Sequence, residues 1–128
     1  MTASANTIQR IDTNARMSHI VVHAGIAYLA GAIAIDLSTD ITTQTQQALQ
    51  DIETSLARVG SSKTHLLSAQ IWLKDVDRDF SAMNAVWEAW TPPGHAPARA
   101  TCQAAMAAPD ILVEIIVTAA LAPILPSM

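Results

Sequence analysis

One arginine and one glutamate near the C-terminal end of the chain are the first candidates for chemistry. Arg99 stands between alanines in the stretch HAPARATCQAAM, residues 95–106. Its guanidinium keeps its charge and is costly to bury unpaired, so a protein side chain or a ligand must meet it. Glu114 is the one charge within the apolar run 111–121. A guanidinium can hold a carboxylate through two parallel hydrogen bonds, and a glutamate can move a proton to or from water.

Strand alternation puts Arg99 and Thr101 on one face of a strand over 98–106. Glu114 lies on one face of the next strand, over 111–121. If these strands pair as a hairpin through residues 107–110, Arg99 and Glu114 can share a face, although the sequence alone does not determine the register. One interpretation is a buried structural ion pair, or a sheet-edge location for both residues. The other is a divided site, in which Arg99 holds a substrate carboxylate and Glu114 handles water.

The two interpretations differ in how they set the pKa of Glu114. Apolar neighbours raise the pKa of a carboxyl group, whereas a nearby arginine lowers it. A glutamate under both influences could be poised for proton transfer. Composition does not decide between them.

Length and composition indicate one domain over residues 1–128 that associates with copies of itself. The chain has 128 residues, of which 51% are hydrophobic and 14% are charged. That charged fraction is below the roughly 25% usual for soluble domains. Because so short a chain has more apolar surface than one core easily buries, we expect an oligomer interface.

Several classes of protein are disfavoured by the same composition. No apolar run reaches the roughly 18 residues that span a bilayer, and the N-terminus MTASANTIQRID lacks a secretory signal pattern, so we expect a cytoplasmic protein with no membrane segment. The net charge is −4 and no basic run occurs, which argues against a nucleic-acid partner. Cys102 is the single cysteine, and the four histidines lack ligand spacing, so no metal site is expected.

Hydrophobic periodicity predicts an α+β fold, in which one sheet carries two helices on one face. Apolar spacing of three and four residues indicates two helices, and Gly60 is suited to end the first. The other sheet face is also apolar and should pack against neighbouring subunits. Strands are predicted over 7–12, 19–23, 27–35, 65–76, 98–106 and 111–121, and helices over 41–59 and 78–90. The fourth strand should bury Leu67, Ala69, Ile71 and Leu73, and the second helix Phe80, Met83, Trp87 and Trp90.

The stretch PARATCQAAMAAPDILVEIIV resembles the C-terminal signature of the RidA/YjgF family, in which Pro-x-Arg opens a strand and a glutamate follows on the next one. Pro97, Arg99 and Glu114 match that signature, including the interval from arginine to glutamate. The likeness extends over most of the chain, through AYLAG, WLKDV and FSAMNAVWEAW. The last of these, together with GHAPARATCQA, is similar to the YoaB-like branch.

The resemblance implies a chorismate-mutase-like α+β fold, assembled as a homotrimer with ligand clefts between subunits. It also implies an enamine/imine deaminase that hydrolyses 2-imino or 2-enamino acids to 2-keto acids and ammonia, without a metal or organic cofactor. In this reading Arg99 clamps the substrate carboxylate and Glu114 activates the attacking water. Asn84 matches an asparagine of the family's second helix near the cleft, and Gly31 matches the glycine of the hairpin.

Three positions depart from the family pattern. Met17 stands where members often have tyrosine, Ala30 where they often have serine before Gly31, and Thr101 where they frequently have cysteine. Because polar groups of the cleft are replaced, the alternative is a non-catalytic, small-carboxylate-binding or regulatory protein that keeps Arg99 without the full chemistry. Cys102 comes one position after Thr101, on the opposite strand face, and is expected to be a small core residue.

Overall fold

Six strands and two α-helices follow one another in the predicted order β-β-β-α-β-α-β-β. The computed structural model describes residues 6–122. The strands are β1 (Gln9–Thr13), β2 (Ser18–His23), β3 (Ile26–Leu29), β4 (Leu66–Leu73), β5 (Ala98–Gln103) and β6 (Val113–Ala120). The helices are α1 (Ile41–Arg58) and α2 (Val76–Trp90), and a short 3-10 turn spans Lys63–His65.

The strands form one mixed sheet with the order β1-β2-β3-β6-β4-β5. Neighbours are antiparallel except β4 and β5, which are parallel and are joined by α2 as the crossover. The predicted hairpin of the last two strands is wrong, because β4 lies between β5 and β6. After β5 the chain crosses from the edge of the sheet to its centre, so the last two strands are not neighbours.

The core lies between the sheet and the two helices, which cover one face. Every second residue of β6 is buried against them, namely Val113, Ile115, Val117 and Ala119. The matching stripe of α1 consists of Ala48, Leu49, Ile52 and Leu56, as the spacing predicted. The helix ends at Arg58, and Gly60 follows its cap residue with a φ of +75° that suits glycine. The amide of Ser61 donates to the carbonyl of Leu56 at 2.9 Å. Neither helix among residues 6–122 is both long and apolar enough to cross a bilayer.

Two strands differ from their predicted form. The third strand ends at Leu29 instead of residue 35, and beyond it only Ala32 pairs with the sheet, as an isolated bridge to Ile115. In β4 the register shifts between Leu66 and Ser68, so Leu66 is buried and Leu67 is exposed. The simple alternation that placed Leu67 in the core fails at this irregularity.

The buried face of the second helix also differs slightly from the predicted one. Met83 and Trp87 are buried as expected, but Phe80 is exposed. Asp79 is buried instead, and both of its carboxylate oxygens accept hydrogen bonds from the guanidinium of Arg78 at 3.0 and 2.9 Å. A buried carboxylate is tolerable there because a charged donor satisfies it.

A buried glutamine anchors the segment that leads into β6. The side chain of Gln44 on α1 is fully buried, and its Oε1 accepts from the amide of Leu112 at 3.0 Å. Its Nε2 donates to the carbonyl of Asp110 at 3.0 Å and, at longer range, to the carbonyls of Leu37 and Thr39. These four hydrogen bonds satisfy the buried amide, as a buried polar group requires. They also fix the loop before α1 and the segment before β6 to one helix side chain.

Candidate functional site

Arg99 and Glu114 lie on opposite faces of the sheet. Along β4, Ala69 pairs with Arg99, whereas Trp72 pairs with Glu114. Because paired residues share a face and these two positions of β4 alternate, Arg99 projects to the helix side and Glu114 to the open side. The alternation predicted within each strand is correct, but the shared face is wrong because it rested on the hairpin. The buried Arg–Glu pair is therefore absent from residues 6–122, where the three ion pairs involve other side chains.

Glu114 packs against the backbone at Gly31. The amide of Ala32 donates to the carbonyl of Ile115 at 2.8 Å, and the amide of Ile115 donates back at 3.0 Å, which brings the loop after β3 beside β6. A Cβ on Gly31 would overlap Oε2 of Glu114 and lie 2.9 Å from its Cδ. Glycine lets the Glu114 carboxylate lie against the backbone here, and any other residue would force that side chain to move. Ala30, the preceding residue, is held by a 2.9 Å bond from its amide to the carbonyl of His19.

The Glu114 carboxylate is partly desolvated and unpaired. Among residues 6–122, no hydrogen bond or ion pair reaches it. Burial raises the pKa of Glu114 above its ordinary value of 4.5. Arg99, which would lower the pKa of Glu114 if it lay nearby, is on the other face of the sheet. A carboxylate with a raised pKa is a stronger base than an ordinary glutamate and is suited to accept and return a proton.

Arg99 lies on the edge strand β5 and faces α2. Its guanidinium carbon is 5.6 Å from the centroid of the Trp87 ring, and no ion pair or hydrogen bond within residues 6–122 involves the guanidinium. Thr101 is two residues further along the same strand face, and its Oγ1 is buried without a hydrogen-bond partner in that part of the chain. Asn84 is half-buried on α2, one turn before Trp87 and on the same side of the helix.

The remaining predicted positions lie apart from this arginine. Met17 is in the turn between β1 and β2, where 48% of its surface is exposed and its amide donates to Oδ1 of Asn14 at 3.1 Å. Cys102 pairs with Trp72 and is exposed on the open face, so the expectation of a small core residue is wrong for one protomer. Residues 6–122 contain no group of three or more histidine, cysteine and acidic side chains placed to hold a metal ion.

The contact of Arg99 with Trp87 was not anticipated from the sequence. Helical spacing assigned Trp87 to the core, which is correct, since 5% of its surface is exposed. The available signal was the order strand, helix, strand over 66–103, which is typical of a parallel crossover. In that arrangement α2 covers β5, and an inward-facing residue of β5 meets a helix side chain.

The contact between Gly31 and Glu114 predicts a coupled pair of substitutions. Gly31→Ala should destabilise the protein by about 1–3 kcal/mol, because its Cβ must displace the carboxylate. In a Glu114→Ala background the same substitution should cost less, by at least about 0.5 kcal/mol, since the overlapping atoms are gone. Chemical denaturation of the four proteins measures both costs. Equal costs in the two backgrounds would show that the glycine is needed for another reason.

The raised pKa of Glu114 predicts a pH-dependent stability. Because the folded pKa exceeds the ordinary value of 4.5, the stabilisation associated with the protonated form is present below that value. It is lost as the pH rises through the folded pKa. Glu114→Gln removes this loss, so the difference in melting temperature between Glu114→Gln and wild type should grow as the pH rises above 4.5. Glu88→Gln, at an exposed position of α2, controls for the general loss of one negative charge; a Glu114→Gln difference that does not grow with pH would contradict the prediction.

The amino-acid sequence is similar to that of known proteins over most of its length. A family model described as Endoribonuclease L-PSP matches residues 7–121. The RutC family protein YoaB of Escherichia coli strain K12 is 43% identical over 114 residues, which cover 89% of this chain and 98% of that protein. The 3-aminoacrylate deaminase RutC of Acinetobacter baylyi is 30% identical over 96 residues, covering 70% of this chain and 75% of RutC.

The fold has a close counterpart among crystal structures. NMB1025 of Neisseria meningitidis, a member of the YjgF protein family, superposes with a TM-score of 0.89 at 36% identity. The superposition covers 94% of this chain and 100% of that one. With the family match over residues 7–121 and the sequence relationship to YoaB, these similarities establish that the chain belongs to the RidA/YjgF family, near YoaB.

Proposed function

We propose that the protein is an enamine/imine deaminase that hydrolyses 2-imino or 2-enamino acids to 2-keto acids and ammonia. The observation that carries the proposal is the pair of unpaired charged groups, Arg99 and Glu114, that no side chain of residues 6–122 satisfies. One is a carboxylate-binding donor group and the other is a proton-transfer group with a raised pKa. A ligand with a carboxylate beside a hydrolysable carbon–nitrogen double bond requires both.

The opposite-face geometry supports a cleft shared between subunits. Within one protomer the sheet separates Arg99 from Glu114, so a small ligand does not touch both. Arg99 is on the edge strand β5, where a neighbouring subunit can approach. On the open face, Trp72 pairs with Glu114, and Tyr28 pairs with Thr118 further along β6. These aromatic side chains give the open face an apolar surface suited to contact another copy. Arg99 of one subunit and Glu114 of the next then form one site in a homotrimer, the assembly that the family resemblance implies.

The proposed reaction uses these two side chains and water. Arg99 binds the substrate carboxylate through two N–H···O bonds, which orients the imine carbon. The substrate enters as the protonated imine, and Glu114 takes a proton from a water as the water oxygen bonds to that carbon, which gives a carbinolamine. Glu114 then gives this proton to the amine nitrogen. As the carbon–nitrogen bond breaks and ammonia leaves, the hydroxyl group passes its proton back to Glu114 and becomes the carbonyl of the 2-keto acid. An enamine enters the same sequence after protonation at carbon gives the imine.

The relationship to RutC supports the substrate class. The named substrate of that relative, 3-aminoacrylate, is an enamine that carries a carboxylate. In this chain Met17 and Ala30 remove hydroxyl groups from positions where the family often has them. We therefore expect a preference for imino acids with apolar side chains over those with polar ones.

The second candidate is a non-catalytic protein that binds small carboxylates or regulates a partner. The observation that favours it is that Met17 and Ala30 are apolar although Arg99 is retained. In that case 2-keto acids bind, but imines are not hydrolysed faster than in buffer.

An assay with imino acids generated in situ by an amino-acid oxidase separates the two candidates. The deaminase should accelerate keto-acid release, and Glu114→Gln should lower the rate about 100-fold or more while keto-acid affinity changes little. Arg99→Lys should weaken keto-acid binding by about 1.5–3 kcal/mol, because lysine lacks the bidentate fork. Arg58→Lys, on an exposed part of α1, is the matched control and should leave both quantities unchanged. Release at the buffer rate by the wild type would leave the binding protein as the function.

Mixed oligomers test the shared cleft. Arg99→Ala and Glu114→Gln should each be inactive alone, yet their co-expressed mixture should regain activity, because some clefts receive the intact Arg99 and the intact Glu114 from different subunits. Random assortment of equal amounts in a cyclic oligomer leaves about one quarter of the clefts intact. Native mass spectrometry of the 13.6 kDa chain reports the assembly in the same samples. A stable monomer, or mixed trimers without activity, would contradict the arrangement.

A further inference from the structure

Arg99 stands at one end of a row of four side chains, in which two cations flank two tryptophans. The Trp87 and Trp90 rings lie 5.6 Å apart between centroids at an interplanar angle of 44°. Arg99 lies over Trp87 at 5.6 Å, and Lys63 lies over Trp90 at 5.4 Å. Both distances are within the roughly 6 Å over which a cation is attracted to a ring face.

The two cations of the row, Lys63 and Arg99, differ in their other contacts. Lys63 also forms an ion pair with Glu53 at 3.1 Å. Among residues 6–122, Arg99 has the Trp87 ring as its described side-chain contact and neither an ion pair nor a hydrogen bond. The N–H groups of Arg99 therefore have no acceptor in this part of the protein, although the guanidinium contacts the Trp87 ring.

The Trp87 ring is a fixed surface. Trp87 is buried in the core, and its carbonyl accepts from the amide and the hydroxyl of Thr91 at 2.9 and 2.8 Å, at the end of α2. Trp90 packs against the Trp87 ring in a tilted arrangement. A cation–ring contact uses no N–H···O bond, so the N–H groups of Arg99 stay available to a planar anion.

We propose that Trp87 is a positioning residue, whose ring holds Arg99 at the sheet edge in the orientation that receives a substrate carboxylate. The inference rests on the proposed function, since it names what prepares the same arginine. An arginine on an edge strand has many rotamers, and binding must restrict them at a cost in entropy. The ring restricts them beforehand, and so raises carboxylate affinity without touching the substrate.

The test compares pyruvate with its uncharged amide, pyruvamide, in Trp87→Leu and Trp87→Phe. Trp87→Leu should weaken pyruvate binding about threefold to tenfold, because the cation–ring attraction is lost, and Trp87→Phe should restore most of the affinity. Pyruvamide binding should not change in either variant. In an Arg99→Ala background, Trp87→Leu should have no further effect on pyruvate. Lys63→Gln removes the cation over Trp90 and is the control, with unchanged pyruvate affinity.

The outcomes separate this inference from the proposed function. If Arg99→Ala weakens pyruvate binding and Trp87→Leu does not, the positioning role is wrong while the carboxylate clamp stands. If Arg99→Ala itself has no effect on pyruvate, the clamp is wrong. Equal losses for pyruvate and pyruvamide, or losses that add to Arg99→Ala, would assign Trp87 a packing role only. If Trp87→Leu does not fold, Trp87→Met replaces it, since a flexible thioether fills the core gap without a ring.

Discussion

The position of β6 between β3 and β4 is the constraint on which the rest of the site depends. It places Glu114 next to Gly31 through the paired bonds of Ala32 with Ile115, and it leaves β5 at the sheet edge with Arg99. Gln44 secures the entry to β6 from the helix layer, because its amide binds backbone groups of both Asp110 and Leu112. Moving β6 by one residue would turn Glu114 into the core and remove the contact with Gly31.

Neither Arg99 nor Glu114 is paired with an opposite charge within the described part of the protomer, and for Glu114 this lowers stability. A buried or half-buried charge without a partner destabilises a fold, and natural proteins keep such groups where function requires them. Glu114 shows this through its raised pKa, whereas the exposed guanidinium of Arg99 contacts the Trp87 ring and has no carboxylate partner among residues 6–122. Joining the two in one protomer would satisfy both charges and leave neither for a ligand. The sheet prevents that pairing by standing between them.

The two halves of the site rest on different parts of the fold. The glutamate half depends on backbone pairing in the centre of the sheet, where strands are held on both sides. The arginine half depends on side-chain packing between β5 and α2, at an edge with one strand neighbour. A central strand resists displacement more than an edge strand does, so an arginine at the edge benefits from a rigid aromatic surface such as Trp87.

Local patterns in the sequence were enough to determine the two helices, the end of α1 just before Gly60, the faces of Arg99 and Glu114 within their own strands, and the α+β class, because each depends on neighbours within a few positions. They failed at Leu67, where the register of β4 shifts. The family signature of Pro97, Arg99 and Glu114 pointed to the two charged residues on which the proposed site rests. Only the tertiary structure decided that Arg99 and Glu114 face opposite ways, that Gly31 receives a carboxylate, and that Trp87 lies under Arg99. Alternation tells which residues of a strand share a face but not which strand lies beside it, and that pairing is settled by contacts between residues far apart in the chain.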